Sequence, residues 1–483
     1  MAILFFLLLA VASLASSVKA ACASVPQICI VGSGISGSAA AYFLRNYSSE
    51  HLDIHVLEQS SQVGGRMAMV DLGECKFEAG ASILHPKNLH TAHFAQILGL
   101  KRKQLVDDDD SNFGMWNGSA FVFMTQKPAS SSMLSQTWTG LLNKFALLWR
   151  YKFSLFYMNT YVSATLAKFL RYYEKSRPIF YTVEEMLKWA ELYKSTQTTS
   201  ERELLSYGLS QQLIDELVTV IMRINYGQSK NISGMAGAVS LCGSDDIFWA
   251  VEGGNWQMAA GLVDLSNASL QLDGKVSSVM AIDGGYEVGI TAGDTKFCNA
   301  VIVATSLDES QIDFSPPVSI PKRHMQHTHA TFVRGIINPN YFGMPSIASV
   351  PNLVGTLEHH TIPFSSINIL KSYGDNDKAY KVFSRSKLTD DLLDQIFNVR
   401  KYTVHFDWAA YPHYNAPEAF APFILDDKHL YYINAFENAA STMETGAVAA
   451  ENVVRLLLSR MSPGATLRAQ TLDCTQEPFE ADL

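Results

Sequence analysis

Basic residues are in the minority in this sequence. The 483 residues include 37 Lys and Arg against 46 Asp and Glu, which gives a net charge of −9 at pH 7. Proteins that bind nucleic-acid backbones usually carry a basic excess, because they neutralise phosphates. The charge balance therefore disfavours a nucleic-acid-binding function.

Charge of either sign is also scarce. Charged residues make up 17% of the chain, hydrophobic residues make up 48%, and the mean hydropathy is +0.05. This composition excludes intrinsically disordered and fibrous classes. At about 150 residues per domain, the length predicts two to three domains or one large two-part enzyme. The low charge indicates either that part of the chain lies in a membrane or that the protein handles an apolar compound.

A long apolar run is missing from the body of the chain. After residue 20, no window reaches the ~18 uncharged apolar residues that a membrane-spanning helix needs. The opening MAILFFLLLAVASLASSVKA is typical of a secretory signal peptide that is cleaved before Ala21. We therefore expect a soluble or peripheral protein of the secretory pathway. A leader alone does not distinguish among compartments of this pathway; the lysosome or vacuole is the expected location, with an extracellular location as the alternative.

Closely spaced cysteines are absent. None of the cysteines of the chain forms a CxxC pair or has the spacing of metal ligands, so a zinc site is disfavoured and no metal is expected. Cys29 lies within an apolar run and is expected to be a small core residue. One or two disulfides are compatible with an oxidising compartment, but the sequence does not pair them. The cysteines are Cys22, Cys29, Cys75, Cys242, Cys298 and Cys474.

Four Asn-x-Ser sequons agree with a secretory route, since this tripeptide is the acceptor for N-glycosylation. Each one can also occur by chance. The predicted glycosylation sites are Asn46, Asn117, Asn231 and Asn267.

The most informative stretch predicts a strand, a glycine-rich turn and a helix. Ile28–Val31 is continuously apolar, as in a buried parallel strand, and the Ala-rich Ser38–Leu44 is typical of a helix. Between them, Gly32 allows a tight turn, Gly34 lets the backbone approach a pyrophosphate, and Gly37 permits close packing of the helix on the strand. The phosphates are expected at the helix N-terminus.

A second predicted strand, His51–Leu57, ends at Glu58, which lies 21 residues after Gly37. An acidic residue at this position accepts hydrogen bonds from an adenosine ribose and repels the additional phosphate of NADP. The unit is therefore predicted to bind FAD or NAD.

Six residues after Glu58 comes Gly64-Gly65-Arg66. This extension resembles the Gly-Gly-Arg segment of the glutathione-reductase-type flavoproteins, in the branch that contains amine oxidases and Rab GDP-dissociation inhibitors. The resemblance implies FAD, with these residues near its diphosphate and ribityl. Arg66 would offer a planar set of donors to phosphate.

Further segments resemble the same branch. The segment FEAGAS resembles the turn that runs along the flavin ring, and KV within LQLDGKVSSV resembles the strand that meets adenine. The segment CNAVIVAT resembles the strand that closes the sheet, and NAASTMETGAVAAENV resembles the closing turn and helix. The helix would direct its positive N-terminal end at the flavin pyrimidine. The cofactor-binding residues that these segments imply are Gly80, Ala81, Val276, Thr305, Met443, Glu444 and Thr445.

FAD-binding segments at both ends of the chain imply a discontinuous domain. The predicted fold class is α/β: a Rossmann-like FAD-binding domain of the glutathione-reductase and amine-oxidase type with an inserted, mixed α+β substrate domain. The predicted boundaries are 1–20 for the signal peptide, 21–100, 241–310 and 426–483 for the FAD-binding domain, 101–240 for a helical substrate insert, and 311–425 for the second part of the substrate domain.

The chain as a whole resembles the prenylcysteine oxidases and, among them, the plant farnesylcysteine lyases. The segments that carry this resemblance include QVGGRM, FEAGASILHPKNLH, YGQSKNISGMAGAVSL and NAASTMETGAVAAENVVRLL. The family implies an FAD-dependent thioether oxidase that cleaves S-prenyl-L-cysteine with O2 and water. The implied products are L-cysteine, a prenyl aldehyde and hydrogen peroxide, with farnesylcysteine as the expected substrate.

The aromatic segment Trp138–Tyr173 has three interpretations. It can line an apolar channel for the prenyl chain, form an amphipathic helical domain that packs its own core, or dock peripherally on a membrane. His85 follows the predicted flavin-facing turn, where it can act near the substrate or simply shape the turn. It is the one catalytic residue that the sequence suggests.

Two other functions use the same FAD motifs. A secreted flavin amine oxidase would act on polyamines and would need acidic residues in its tunnel, whereas the inserted region here is aromatic and basic. A non-enzymatic module that binds prenylated proteins, like the Rab GDP-dissociation inhibitors, would be cytosolic and would hold no FAD. The glycines of the phosphate-binding turn and the leader sequence favour the oxidase.

Overall fold

The computed structural model describes residues 25–104, 112–128, 132–243, 248–291, 293–374 and 376–462. The predicted leader, Cys22 and Cys474 lie outside these residues. None of the described helices combines the length and the apolarity that crossing a membrane requires.

The strands carry the labels used below. In chain order the first ten are β1 (Gln27–Val31), β2 (Asp53–Leu57), β3 (Met69–Leu72), β4 (Cys75–Glu78), β5 (Arg102–Gln104), β6 (Phe113–Trp116), β7 (Phe121–Met124), β8 (Trp249–Val251), β9 (Ser269–Gln271) and β10 (Val276–Ile282). They continue with β11 (Gly285–Ile290), β12 (Thr295–Cys298), β13 (Ala300–Val303), β14 (Asp313–Ser315), β15 (Met325–Ile337), β16 (Leu353–Thr356), β17 (Ser366–Ser372), β18 (Lys378–Ser384), β19 (Phe397–Pro412) and β20 (Leu430–Tyr432).

The α-helices are labelled in the same way. They are α1 (Ile35–Tyr47), α2 (Leu89–Ile97), α3 (Met133–Tyr151), α4 (Ser154–Leu170), α5 (Val183–Trp189), α6 (Tyr193–Thr196), α7 (Ser200–Ser206), α8 (Gln211–Leu213), α9 (Thr219–Tyr226), α10 (Gly234–Cys242), α11 (Trp256–Ser266), α12 (Asp390–Ile396) and α13 (Met443–Met461). A π-helical turn at Ile214–Val218 joins α8 to α9, and 3₁₀ turns span Arg171–Tyr173, Pro339–Phe342, Ile347–Ser349 and Ile433–Asn438.

A five-stranded parallel sheet carries the predicted dinucleotide-binding unit. Its strand order is β20-β13-β1-β2-β9, with β1 at the centre. Except for the edge strand β9, the strands are almost entirely buried because helices cover the sheet, which explains the continuous apolar runs in the sequence. Helix α1 packs against both α11 and α13. The predicted strand, turn and helix near the N-terminus and the predicted strand in CNAVIVAT are thereby confirmed.

A four-stranded sheet and a seven-stranded sheet lie beside the parallel sheet in the α/β fold. Strands β12-β11-β10-β14 form one sheet, and β19-β15-β18-β17-β16-β6-β7 form a seven-stranded mixed sheet. Because side chains alternate along a strand, the seven-stranded sheet has two different faces. One face packs into an aromatic core around Trp116, Phe364 and Tyr380, and the other lies against the β3–β4 hairpin. The second face forms part of a large cavity.

The parallel sheet draws on three separate stretches of the chain. Its strands come from residues 27–57, 269–303 and 430–432, and helices from residues 133–242 and the seven-stranded sheet are interposed between them. The arrangement is that of an α/β domain with inserted α and β structure. The individual domain boundaries stay a prediction.

A disulfide corrects one sequence-based expectation. Cys29 on β1 is bonded to Cys298 at the end of β12, with their Cα atoms 5.8 Å apart. Cys29 is fully buried, as expected, but it is not an unpaired core residue. The partner lies 269 residues away in the chain and is brought close only by the pairing of β1 with β13.

Candidate active site

A cavity of about 790 Å³ opens at the carboxyl ends of β1 and β13 and extends to the seven-stranded sheet. Its volume is near the upper end of the range for small-molecule and cofactor sites. The position agrees with the rule that open α/β sheets bind ligands beyond the carboxyl ends of their strands. The following predicted residues line it: Gly32, Gly34, Glu58, Gly64, Gly65, Arg66, Gly80, Ala81, His85, Val276, Thr305, Met443, Glu444 and Thr445.

The glycine-rich turn forms one end of the cavity. Gly32 adopts a φ of +101°, a backbone conformation that side chains disfavour, and its N–H donates to the carbonyl of Leu57 (2.8 Å). A Cβ on Gly34 would lie 3.9 Å from its nearest neighbour, the oxygen of Gly64, so this backbone is open to the cavity. A Cβ on Gly37 would lie 2.0 Å from the oxygen of Gly32. Gly37 therefore does not line the cavity but permits close packing.

Two helix N-termini reach the cavity wall. Residues 34–36 at the start of α1 and 442–446 at the start of α13 line it. Thr442 caps α13 and forms a reciprocal capping box with Thr445. Free N–H groups and the helix dipole favour negative charge at the N-terminus of each of these two helices. The α1 end suits a pyrophosphate, and the α13 end suits an electron-rich ring.

Glu58 connects the end of β2 to the glycine-rich turn. Its carboxylate accepts hydrogen bonds from the Ser33 N–H (2.8 Å), the Ser33 hydroxyl (2.7 Å) and the Ser60 N–H (2.9 Å). The carboxylate also lines the cavity. Glu58 thus stabilises the turn, and the predicted bond to a ribose stays a prediction.

Arg66 is bonded within the protein. Its Nη1 forms an ion pair with Glu437 and donates to the carbonyl of Ala410 (2.7 Å). Burial alone would lower the pKa of Arg66, but the Glu437 carboxylate outweighs burial and raises it. Burial would likewise raise the pKa of Glu437, and the charges of Arg66 and Arg323 lower it instead. Part of the donor set of Arg66 is therefore in use, and phosphate binding by this residue stays a prediction.

The carboxylate of Glu444 is directed into the protein. It accepts hydrogen bonds from the N–H groups of His90 (2.7 Å) and Thr91 (3.0 Å), and from the hydroxyls of Thr91 (2.9 Å) and Tyr173 (2.6 Å). Its side chain thus anchors α13 to the first turn of α2. The Glu444 carboxylate is therefore occupied within the protein. For residues 443–445, the backbone and the Met443 side chain are left to make the predicted contacts with a cofactor, and these contacts stay a prediction.

His85 shapes the turn that precedes α2. Its Nδ1 accepts a hydrogen bond from the Lys87 N–H (2.9 Å), and its own N–H donates to Oδ1 of Asn88 (2.8 Å). The ring also lies on the cavity wall, 6.1 Å from the ring of Phe248. The turn-forming interpretation is supported by these bonds, and a chemical role for His85 stays a prediction.

Only the C-terminal end of the aromatic segment Trp138–Tyr173 reaches the cavity among the described residues. Thr165, Leu166 and Phe169 of α4 line it, next to Ile224 and Phe248. The remainder of the segment forms the α3–α4 hairpin, which packs partly on the core through residues such as Tyr161 and partly faces solvent. The channel interpretation therefore applies to one end of α4.

Sequence reasoning missed several residues of the cavity wall. Glu437 and Lys381 belong to no motif, and Trp408 lies on a long strand of the inserted sheet. Lys381 stands between Tyr380 and Val382 in the middle of β18. A charged residue between two large apolar residues of a strand was the available sequence signal.

Sequence models of two families match the chain. The model of the prenylcysteine lyase family matches residues 134–468, and that of NAD(P)-binding Rossmann-like domains matches residues 30–98. Farnesylcysteine lyase of Arabidopsis thaliana is 52% identical over 444 residues, which cover 90% of this chain and 89% of that enzyme. Prenylcysteine oxidase 1 of Homo sapiens is 33% identical over 469 residues, with 90% and 89% covered.

Solved structures agree on the fold. Putrescine oxidase bound to putrescine has a TM-score of 0.60 at 12% identity and covers 90% of this chain and 99% of its own. Cyclohexylamine oxidase of Brevibacterium oxydans has a TM-score of 0.57 at 15% identity, with 90% and 99% covered. The predicted fold class is confirmed, and at these identities the likeness shows the fold alone.

We expect Gly34→Val to yield a folded protein that no longer holds FAD. The Cβ has room in the protein itself, but the branched side chain would occupy the space through which the backbone approaches the pyrophosphate. Flavin absorbance per chain of the purified protein should fall by about tenfold or more.

Gly374→Val is the matched control, because Gly374 is exposed and a Cβ there has no neighbour within 4 Å. Circular dichroism should show both variants folded. A Gly34→Val protein that keeps its full flavin content would contradict the assignment of this turn.

Proposed function

This chain belongs to the prenylcysteine lyase family, and we propose that it is an FAD-dependent oxidase that cleaves the thioether of S-prenyl-L-cysteine. One observation carries the proposal: a single cavity joins the phosphate-binding glycine turn to apolar side chains of the inserted region. The reaction consumes O2 and water. It releases L-cysteine, a prenyl aldehyde and hydrogen peroxide, and farnesylcysteine is the preferred substrate.

The residues at the sheet end of the cavity fit FAD. The open backbone at Gly34 and the N-terminus of α1 would hold the pyrophosphate, and Glu58 and Val276 would bind the adenosine part. The N-terminus of α13 would stabilise negative charge on the ring. When bound, FAD would supply the hydride acceptor for the substrate and the route of the electrons to O2.

The apolar wall holds and orients the prenyl chain. Leu166, Phe169, Ile224 and Phe248 belong to it, and each buried CH2-sized group of a fifteen-carbon farnesyl chain contributes about 0.8 kcal/mol. The same side chains keep water away from the allylic carbon beside sulfur while it loses hydride, since sulfur and the double bond stabilise the resulting cation. Water then adds to this carbon, and the hemithioacetal collapses to the aldehyde and the thiol of cysteine.

Two acidic residues of the cavity wall are already engaged within the protein and do not favour a polyamine substrate. Glu437 is paired with Arg66, and the carboxylate of Glu444 is bonded to α2 and Tyr173. A polyamine needs free carboxylates along its tunnel, because each buried ammonium requires a compensating charge. The amine-oxidase alternative therefore lacks its expected recognition groups at these two positions.

We expect the yellow holoprotein to release cysteine thiol and peroxide in equal amounts from S-farnesyl-L-cysteine. The stoichiometry follows because each thioether cleaved transfers two electrons to one O2. Parallel assays with S-geranylgeranyl-L-cysteine and spermidine measure selectivity. Turnover of spermidine alone would establish the amine-oxidase alternative, and a purified protein without flavin absorbance would establish a non-enzymatic prenyl-binding function.

The protein belongs to the secretory pathway and works in the lysosome or vacuole. The leader-like N-terminus, the buried disulfide and the sequons support this location, since disulfides persist in oxidising compartments. Asn117, Asn231 and Asn267 are exposed, whereas Asn46 is half-buried on α1 and donates to the carbonyl of Tyr42.

We expect non-reducing peptide mapping of the native protein to recover Cys29 linked to Cys298. Glycosidase digestion should lower its mass, with glycans at the exposed sequons. Cys75 is unpaired among the described residues and serves as the internal control for free thiol. Free thiols at Cys29 and Cys298, together with an unglycosylated chain, would contradict a secretory route.

The α3–α4 hairpin docks the protein peripherally on an anionic membrane. Phe145, Trp149, Phe153 and Phe156 are exposed around the hairpin turn, with Trp149 at 77% and Phe153 at 79%. Lys144 and Lys152 flank them and are exposed too. Exposed aromatic groups beside lysines suit the interface of an anionic lipid layer. Since the C-terminal end of α4 lines the cavity, docking of the hairpin on a membrane would bring the cavity close to prenyl lipids.

We expect the double variant Trp149→Glu/Phe153→Glu to lose membrane binding. Withdrawing two large apolar side chains and adding two negative charges should weaken co-sedimentation with phosphatidylserine-containing vesicles by about tenfold or more. The matched control is Leu265→Glu/Tyr402→Glu, which changes two exposed apolar residues elsewhere.

Cleavage of soluble farnesylcysteine should be the same in the wild type and both variants. Equal sedimentation of wild type and Trp149→Glu/Phe153→Glu would contradict membrane docking. A wild-type dimer that this variant dissociates in gel filtration would instead identify the patch as a protein interface.

A further inference from the structure

Lys381 is a buried lysine on the cavity wall that the chemistry described above does not use. It lies on β18, is 7% exposed and faces the cavity, whereas its neighbours Tyr380 and Val382 pack into the aromatic core on the other face of the sheet. Lysines are rarely buried to this extent unless they are paired. The residue therefore needs an explanation.

The ammonium group of Lys381 has weak partners in the protein. Its Nζ donates to the carbonyl of Glu78 at 3.3 Å and lies 4.9 Å from the ring centroid of Phe383. Within the part of the chain that the structure describes, Lys381 forms no ion pair with a carboxylate within 4.0 Å. The Glu78 carboxylate accepts instead from the Asn255 N–H (2.6 Å).

Other cations of the cavity wall differ from Lys381. Arg66 is paired with Glu437, and Arg223 is bonded to Glu358 and to the hydroxyl of Thr356. Two further lysines on the wall are exposed to solvent, and these are Lys87 and Lys275. Lys381 therefore combines burial with the lack of an ion pair in the described part of the chain, and the Glu78 carboxylate acts on it only through its nearby charge.

On the same face of the sheet, Lys381 has Phe332 of β15 on one side and polar groups of β17 on the other. Asn368 on β17 stands opposite it in register, and Ser366 stands opposite Phe383. Both line the cavity, as does Trp408 on β19. This patch lies beside Gly80, since Trp408 is the nearest neighbour of a Cβ at that glycine. The wall thus offers a cation and neutral hydrogen-bonding groups away from the glycine-rich turn of Gly32.

We propose that Lys381 binds the α-carboxylate of the prenylcysteine substrate, an inference that rests on the function proposed above. The carboxylate is the one anionic group of this substrate, and a buried ammonium that contacts no carboxylate of the described chain is its natural counter-ion. Asn368 and Ser366 are placed to complete the contacts of the amino-acid end. The prenyl chain then extends along the apolar side chains of α4 and α9.

The charge state of Lys381 fits binding better than proton abstraction. Burial lowers the pKa of Lys381 to about 8, and the nearby Glu78 charge counteracts this in part. The amine is therefore mostly protonated at neutral pH and more completely so in an acidic lumen. A protonated amine attracts a carboxylate and cannot act as a base.

The test compares S-farnesyl-L-cysteine with its methyl ester in the wild-type and Lys381→Met holoenzymes. We expect the substitution to raise KM for the acid by about tenfold or more, because it removes a charge-assisted hydrogen bond. The kcat for the acid and the KM for the ester should change by less than about threefold. Lys381→Arg should recover part of the affinity for the acid. Lys371→Met, at an exposed lysine of the neighbouring β17, is the matched control.

A second measurement uses the wild-type enzyme alone. It tests the inference even if the Lys381→Met variant loses its flavin. The wild-type KM for the ester should exceed that for the acid by about tenfold or more. Equal KM values for acid and ester would overturn the inference, as would a Lys381→Met enzyme with reduced kcat and unchanged KM. A wild-type holoenzyme that cleaves neither compound would instead contradict the proposed function.

Discussion

The position of the closing helix α13 depends on the buried carboxylate of Glu444. This side chain accepts four hydrogen bonds from His90, Thr91 and Tyr173, so that the first turn of α13 is bound to the first turn of α2. Further along α13, Glu451 is paired with the His90 ring (2.9 Å). Removing one partner of such a buried set leaves an uncompensated charge, which is strongly destabilising. The N-terminus of α13 is consequently held at the cavity, where its dipole can act on a bound ring.

The cavity has two chemically distinct ends because two different sheets form it. At the parallel sheet, backbone N–H groups, glycines and the N-terminus of α1 provide sites for phosphates. At the other end, apolar side chains from α4 and α9 meet the seven-stranded sheet, which contributes the buried Lys381. This second end, with one buried cation beside apolar side chains, matches an amphiphilic substrate that has an amino-acid head and a long hydrocarbon tail. In the mechanism that we propose, water exclusion by the apolar part would protect the cation that forms beside sulfur.

Helix α4 contacts three different environments along its length. Phe153 and Phe156 near its start face solvent, Tyr161 in its middle packs into the core, and Leu166 and Phe169 near its end line the cavity. At 1.5 Å per residue, Phe156 and Phe169 are about 20 Å apart along the helix. The low charge of the sequence is then explained by a large core, the cavity wall and this hairpin.

Local patterns were sufficient for the dinucleotide-binding unit. The strand Gln27–Val31, the glycine-rich turn and helix α1 follow from backbone sterics and short-range hydrogen bonds, which depend on neighbouring residues in the chain. The resemblance of the remaining segments to known flavoproteins also identified most of the residues at the sheet end of the cavity. The helical periodicity of Trp138–Tyr173 likewise predicted helices, but it did not distinguish among a channel, a core and a surface, because the same spacing serves all three.

Tertiary structure decided the partners of the charged and sulfur-containing side chains. Cys29 and Cys298, Arg66 and Glu437, and Glu444 and His90 are each separated by more than 250 residues, so no local spacing relates them. The exposure of Trp149 and the burial of Lys381 were settled in the same way. The sequence by itself determined the fold class, the cofactor-binding turn and the family. Which side chains face the substrate, the core or solvent depended on how three distant stretches of chain enclose one cavity, since burial and charge pairing are properties of neighbours in space.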